Sequence, residues 1–180
     1  MVFVIRMVCL VAFLGLSSCS GSQNRPEKRK KSTEIPLETY IKINKQIVAE
    51  QQKEIEQYVA DQGLDMNQTE TGLWYLITAP GSGTNVEKGQ IVTLNYSIHL
   101  LDGSLCYSSA DKGPKIFKVG QGGVESGLEE GVLMLKKGSK AVFIMPPHLA
   151  HGMVGDDDNI PQRAIIRYEV EVLEVNNNTN

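Results

Sequence analysis

The sequence has few cysteines, no excess of basic residues and no apolar run long enough to cross a bilayer, and these shortages exclude several classes of protein. Two of its three cysteines, Cys9 and Cys19, lie in an apolar leader or at its end. Only Cys106 is left for a folded part, so no intramolecular disulfide is expected. The net charge of −3 argues against a nucleic-acid partner. A glycine run at residues 120–123 lacks the lysine and the spacing of a phosphate-binding loop.

The first nineteen residues are interpreted as a targeting segment. A single basic residue precedes an apolar run at residues 8–14, which is too short to span a bilayer. The segment ends in Leu16-Ser17-Ser18-Cys19, which resembles the lipobox of bacterial lipoproteins. Its processing would remove a signal peptide over residues 1–18 and leave Cys19 as a lipid-bearing N-terminus, and several acyl chains there would give a stable membrane anchor. A plain secretory signal, cut one or two residues earlier, is the alternative.

A basic tether and a helical arm are predicted after the leader. The tether, residues 19–35, contains four consecutive basic residues and too few apolar ones to bury a core, so it is expected to be flexible. In the arm, residues 36–63, apolar side chains recur at helical spacing, with Pro36 suited to the first turn and Gly63 to the stop. The resulting apolar stripe predicts that the arm packs on its own domain or on a second copy of the chain.

The remainder predicts strands around one short helix. Residues 124–134 have apolar positions at helical spacing, and such a helix has to bury its apolar face against a sheet. Trp74 and Tyr75 are adjacent on the first strand, so only one of them is expected in the core. The strands are predicted at residues 72–78, closed by a turn at 79–83, and at 90–101, 104–107, 140–145 and 164–175, before a disordered tail at 176–180. The predicted fold is α+β, an antiparallel sheet of about five strands wrapped around one short helix, preceded by the helical arm.

Several of these segments, taken in order, carry a family resemblance. They are Ala79-Pro80-Gly81-Ser82-Gly83, Val92-Thr93-Leu94-Asn95-Tyr96, Leu101-Asp102-Gly103, Tyr107-Ser108-Ser109, Gly127-Leu128-Glu129-Glu130-Gly131-Val132, Met134-Leu135-Lys136-Lys137-Gly138 and Ile160-Pro161. Together they resemble the FK506-binding type of peptidyl-prolyl cis-trans isomerase, the FKBP family, over residues 72–175. The resemblance implies the FKBP fold and catalysis of rotation about X-Pro bonds. The leader, tether, arm and the loop at residues 151–156 also resemble the gliding-motility-associated FKBP-type lipoproteins, which implies a folding factor of the cell envelope.

The family's pocket positions can be carried over to this chain one residue at a time. Aromatic or apolar residues are retained at five of them, namely Tyr96, Phe117, Val124, Ile160 and Tyr168. Glu125 falls where the family has an isoleucine whose backbone binds ligand, so its expected role is through the backbone. Leu128 replaces the aromatic floor, and His151 replaces a tyrosine that donates a hydrogen bond to ligand. The resemblance thus implies a catalytic pocket of these eight residues.

Three further positions depart from the family pattern. Cys106 and Lys115 stand where aromatic wall residues are usual, and Tyr107 stands where an aspartate is usual. Because each lost ring removes about 150–250 Å² of apolar surface, the pocket is expected to be wider, more polar and weaker for macrolides. Without the resemblance, the retained aromatic residues are better interpreted as ordinary core residues of strands than as ligand contacts, and Cys106 as a small buried side chain than as a nucleophile.

Two histidines and an acidic turn are the remaining candidate ligands for a metal ion. His148 and His151 stand near three consecutive aspartates at residues 156–158. Loop histidines and acidic turns are more often structural than metal-ligating, and no catalytic triad is visible. The sequence therefore predicts neither a metal nor a cofactor.

Two functions from different classes follow from this reading. The first is a peptidyl-prolyl cis-trans isomerase of the envelope that assists folding of exported proteins, with proline-containing polypeptides as substrates, a lipid anchor and no nucleic-acid partner. The second is a noncatalytic, lipid-tethered chaperone or scaffold that binds envelope proteins through a degenerate pocket and the arm. A homodimer through the arm is a further expectation. Ser20 does not resemble an inner-membrane retention signal, which favours the outer membrane, facing the periplasm.

Overall fold

The computed structural model describes residues 36–177. The predicted signal peptide, the lipid-attachment residue Cys19, the tether and the last three residues of the predicted tail lie outside the described residues. Within the described part of the chain, no helix is both long enough and apolar enough to cross a membrane.

The helical arm predicted from the sequence is present as α1, Leu37–Asp61. It starts directly after Pro36, which needs no helical hydrogen bond. It ends at Asp61, and Gly63 just beyond it adopts φ 61°, the left-handed conformation that commonly terminates a helix. The N–H of Gly63 donates to the carbonyl of Ala60 at 3.1 Å, and that of Leu64 donates to the carbonyl of Val59 at 3.0 Å. These two bonds satisfy carbonyls of the last turn and fix where the arm stops.

Seven strands form one antiparallel sheet, in the order β1-β2-β6-β7-β3-β4 with β5 beside β3. The strands are β1 Asn67–Gln68, β2 Trp74–Ser82, β3 Ile91–Leu100, β4 Leu105–Ser108, β5 Lys115–Lys118, β6 Lys137–Met145 and β7 Ile166–Asn176. Short helices are α2 Ser109–Lys112, α3 Ser126–Val132 and a 3-10 turn at Pro147–Leu149. β4 and β5 both pair with β3 along the same edge, each with a different half of it. The sheet is therefore about five strands wide if the two-residue β1 is not counted. The predicted α+β fold is confirmed.

Three details differ from the sequence-based expectation. β5 was not predicted, because its four residues begin and end with lysine and leave too short an apolar pattern. The turn expected at residues 79–83 is mostly strand, since Pro80 and Ser82 pair with β6. A proline is tolerated in this strand because it lies beyond the end of β1, where the other side of β2 has no described partner strand that would need its N–H. Asn176, the first residue of the predicted tail, belongs to β7 because it pairs with Ile91.

The main core lies between the sheet and α3. Leu128 and Val132 of α3 are fully buried against Phe143 and Tyr168 of the sheet. The helix can approach this closely because Gly131 has no side chain: a Cβ there would lie 2.6 Å from the ring of Phe143. The close approach places the start of α3 beside the aromatic residues of β3 and β7.

A second, smaller core lies on the opposite face of the sheet. Ile55 and Val59 from the C-terminal half of α1 pack against Ile144, with Trp74 at the margin. The expectation that only one of Trp74 and Tyr75 is a core residue is therefore wrong: Tyr75 packs on the main core and Trp74 on the second. Both faces of the strand are covered because a helix lies on each side of the sheet.

The N-terminal half of α1 leaves its apolar stripe uncovered within the described residues. Leu37 is 74% exposed and Val48 53% exposed, and Tyr40, Ile41 and Ile43 are also exposed. The arm thus packs on its own domain through its C-terminal half alone.

Candidate active site

The eight pocket residues predicted from the sequence lie in the main core or beside it. Phe117, Leu128, Ile160 and Tyr168 are buried members of the main core, and Tyr96 and Val124 pack against it. Glu125 and His151 join them through their side chains, as described below. Strand register explains the convergence on the sheet: Tyr96 pairs with Val170 and Ile98 with Tyr168, so the two tyrosines are diagonal neighbours on one face of β3 and β7.

Two aromatic rings form the centre of the apolar wall. The ring centroids of Tyr96 and Tyr168 are 6.0 Å apart, with the ring planes tilted by 39°. Tyr168 is fully buried, and Phe117 on β5 is 8% exposed. Leu128 closes the floor and is fully buried as well. The retained family positions therefore all belong to the main core or pack against it.

Glu125 brings a carboxylate into this apolar surface. It precedes α3, and its side chain is only 7% exposed. The hydroxyl of Tyr168 donates to Glu125 Oε1 at 2.9 Å. His151 Nε2 lies 3.2 Å from the same oxygen but is not aligned for a hydrogen bond. The family resemblance implies a role for Glu125 through its backbone alone, and the structure adds a buried side chain that contacts Tyr168 and Lys115.

Lys115 neutralises the Glu125 carboxylate. Its Nζ lies 3.3 Å from Glu125 Oε2 and donates to the Tyr168 hydroxyl at 2.9 Å. The same ammonium lies 5.2 Å from the ring centroid of Tyr96 and 5.5 Å from that of Tyr168. The sequence indicated only that Lys115 replaces an aromatic wall residue. Its partnership with a glutamate ten positions later has no local sequence signal, because it depends on how β5 and the start of α3 meet.

The charges of this cluster perturb its titrations. Burial alone would raise the pKa of Glu125, but the Lys115 ammonium first, then hydrogen bonds from its own backbone and Tyr168 and the nearby His151, hold that pKa below the ordinary value. Burial, followed by the charge of Glu125, raises the pKa of both Tyr168 and Tyr96. At neutral pH the cluster therefore holds an ionised carboxylate beside two uncharged phenols.

The lowered pKa of Glu125 predicts a loss of stability in acid. A group whose pKa is lower in the folded state stabilises the fold above its unfolded pKa, and this contribution disappears as the pH falls through the folded pKa. We expect the wild-type chain to lose more stability than Glu125→Gln when the pH is lowered from about 6 to about 3, across the ordinary glutamate pKa. Thermal unfolding of both chains measures this difference. Equal losses would contradict the ionised, stabilised carboxylate.

A second hydrogen-bonded group positions the loop that carries Ile160. The hydroxyl of Tyr107 donates to Asp156 Oδ2 and to Asp158 Oδ2. Asp156 Oδ1 accepts the backbone N–H of Asp158 at 3.0 Å and that of Ile160 at 2.8 Å. Tyr107, which replaces the family's aspartate, therefore ties β4 to this loop. Burial raises the pKa of Asp156, but these hydrogen bonds outweigh it and hold the pKa below its ordinary value.

The residues considered for a metal have other partners. His148 Nε2 lies 2.9 Å from the backbone carbonyl of Thr71, and Asp156 is occupied by Tyr107 and the loop. Across residues 36–177, the structure contains no group of three or more His, Cys, Asp or Glu side chains arranged to hold a metal.

Comparison with known proteins identifies the family and supports the fold. A family model described as FKBP-type peptidyl-prolyl cis-trans isomerase matches residues 82–173. FK506-binding protein 1A of Emericella nidulans is 41% identical over 100 residues, which are 54% of this chain and 93% of that protein. The chain belongs to the FKBP-type isomerase family. The matched region contains all eight of the pocket residues named above.

Bacterial members of the FKBP family share more of this chain but are longer. A probable FKBP-type peptidyl-prolyl cis-trans isomerase of Haemophilus influenzae is 32% identical over 154 residues, covering 83% of this chain and 63% of that protein. The crystal structure of FkpA from Escherichia coli superposes with a TM-score of 0.64 and 29% identity, covering 78% of this chain and 65% of FkpA. This chain thus spans less than two thirds of the length of these bacterial FKBP proteins.

Proposed function

We propose that this FKBP-family chain catalyses cis/trans isomerisation of X-Pro bonds. The observation that carries the proposal is the apolar wall of Tyr96, Phe117, Val124, Ile160 and Tyr168, which form or pack against the main core of the family fold. The reaction needs no nucleophile, because the barrier of about 20 kcal/mol arises from amide resonance alone. A pocket that excludes water and binds the twisted amide better than the planar one lowers that barrier.

The Lys115–Glu125 pair modifies the pocket that this activity would use. Two charged side chains now lie among rings that would otherwise contact an apolar ligand. Removing water from these charged side chains is unfavourable when the bound ligand offers them no hydrogen-bonding or charged partner. We therefore expect weaker binding of large apolar macrolides than in FKBP domains with aromatic residues at these positions.

We also propose that the chain works in the bacterial cell envelope. The lipobox-like Leu16-Ser17-Ser18-Cys19 supports attachment through Cys19, and the basic residues of the tether would lie close to the membrane. The similarity to bacterial FkpA proteins and the resemblance to gliding-motility-associated FKBP-type lipoproteins support the same compartment. In this proposal the chain faces the periplasm from the outer membrane and assists the folding of exported proteins.

A second function, noncatalytic binding of polypeptides, is supported by the arm. Its N-terminal half exposes apolar side chains beside a groove of about 980 Å³. Val48 and Ile47 line one side of this groove, and Pro146 and Met153 line the other. A chaperone or scaffold could hold apolar segments of envelope proteins there, and a second copy of the chain could cover the same surface as a homodimer.

Catalysis and binding can be separated with a short X-Pro peptide whose exchange is followed by NMR. If the chain is an isomerase, an amount far below that of the peptide speeds exchange, because each pocket is reused. A binder without catalysis leaves the exchange rate unchanged at this ratio. The double variant Ile41→Ser, Val48→Ser serves as the control, since it changes the arm alone and is expected to keep peptide catalysis. A folded wild-type chain that does not speed exchange would overturn the isomerase proposal.

A further inference from the structure

The pocket contains an arrangement suited to binding a cation. The carboxylate of Glu125 and the rings of Tyr96 and Tyr168 surround one position, which we call the cation subsite. A cation at this position gains an ion pair from Glu125 and an electrostatic attraction to the negative faces of two rings. In the described structure the ammonium of Lys115 occupies it, at 3.3 Å from the carboxylate and 5.2 and 5.5 Å from the two ring centroids.

Lys115 is the member of this cluster best placed to leave. Its side chain is 22% exposed, compared with 7% for Glu125 and full burial of Tyr168. Lysine also carries its charge on a flexible stem, so the ammonium can move into water without disturbing β5. An incoming substrate that packs on the two rings has to displace the ammonium from them. Lys115 therefore covers the rings in the absence of substrate.

Displacement of Lys115 leaves Glu125 in need of a new partner. The carboxylate is buried, and His151 is close but not aligned to replace the lost ammonium. Leaving a buried charge without its partner is strongly unfavourable, whereas a new surface ion pair between the displaced Lys115 and an acidic substrate would contribute little. Displacement of Lys115 by a substrate is therefore most favourable when the substrate supplies a cation that pairs with Glu125.

Resting on the proposed isomerase function, we propose that the cation subsite selects X-Pro segments that carry lysine or arginine next to the proline. Lys115 is the resident cation that such a side chain replaces. A neutral neighbour leaves Glu125 with the uncharged Tyr168 hydroxyl but without the ammonium, or leaves Lys115 in place over the rings. An acidic neighbour adds repulsion to the same carboxylate. The expected order of substrates is basic, then neutral, then acidic.

Steady-state kinetics of the full chain on matched peptides tests this assignment. The peptides differ only in the residue before or after the proline, which is lysine, leucine or glutamate. We expect kcat/KM for the better lysine peptide to exceed that of its leucine counterpart about tenfold, the factor corresponding to one charge-assisted hydrogen bond. Glu125→Gln, which keeps a hydrogen-bonding group beside Tyr168, is expected to abolish the preference. Lys115→Met is expected to lower KM for the lysine peptide, because the competing ammonium is gone.

The control is Lys118→Met, on the same strand but outside the subsite, which is expected to leave the preference unchanged. Equal kcat/KM for lysine and leucine peptides, a preference that persists in Glu125→Gln, or a preference for glutamate would each overturn the assignment. If the folded wild-type chain isomerises none of the peptides, the proposed function fails instead. Calorimetric affinities for the same peptides then decide the subsite on their own: tighter binding of lysine than of leucine peptides supports it, and equal binding overturns it.

Discussion

Replacing Phe117 with alanine is expected to lower the free energy of unfolding by about 3–5 kcal/mol, the range for removing a buried phenylalanine. Phe117 is 8% exposed and belongs to the main core that α3 and the sheet enclose. Its ring is lost from a site where the surrounding side chains of β3 and β7 are held by the sheet and relax only partly. Urea-induced unfolding followed by circular dichroism measures the change.

The adjacent residue on β5 provides the matched control. Ile116 points to the opposite face of the strand and is 66% exposed. Ile116→Ala is therefore expected to change stability by no more than about 0.5 kcal/mol, as is usual for surface substitutions. Similar losses in the two variants would show that β5 does not place Phe117 in the core, and the assignment of Phe117 to the pocket wall would be wrong.

Replacing Gly131 with alanine is expected to cost about 1–3 kcal/mol, the usual penalty for inserting a methyl group into a packed core. The new Cβ would lie 2.6 Å from Phe143 Cζ and 2.8 Å from Cε2. Alanine is the better helix former, so propensity alone favours the substitution and the clash has to outweigh it. Denaturant unfolding of the full chain measures the balance.

A double-mutant cycle distinguishes this clash from a general loss of helix stability. Phe143→Leu shortens the side chain that Gly131→Ala would meet, although by itself it removes core volume. The double variant is expected to be more stable than the sum of the two single changes predicts, because residues in contact do not act additively. Strict additivity would mean that α3 does not approach the sheet through Gly131.

The fold could be predicted where each element has its own periodic signal. The alternation along β7 and the helical spacing of α1 and α3 are local, and the structure has these elements at nearly the expected positions. Trp74 could not be assigned to a core from its strand alone. Its burial follows from α1, more than ten residues earlier, which covers the second face of the sheet.

The site could be predicted only as a set of positions. The family pattern brought the eight residues together, but it gave no means of placing the side chain of Glu125. That placement arises because Lys115, Tyr168 and His151 reach the same carboxylate from β5, β7 and the loop after the 3-10 turn. The partnership of Tyr107 with Asp156 is equally nonlocal. Each of these contacts joins residues that no spacing in the sequence relates.

The buried ion pair is not explained by stability. Replacing a buried pair with apolar residues of similar volume is often neutral or stabilising by about 1–4 kcal/mol. An apolar pair at Lys115 and Glu125 would also give the aromatic wall a larger surface for proline. A pair that adds little stability over apolar residues of similar volume, and reduces the apolar surface, is better accounted for by a role in substrate selection.

The folded chain is expected to accelerate X-Pro isomerisation at the apolar wall around Tyr168. The most direct measurement is the slow, proline-limited refolding phase of a test protein, followed with a small amount of the full chain, of Phe117→Ala and of Ile116→Ala, each under conditions in which it is folded. We expect the wild-type chain and Ile116→Ala to accelerate this phase equally and Phe117→Ala to have lost most of the acceleration. An unchanged slow phase with the folded wild-type chain, or equal acceleration by all three, would contradict the claim.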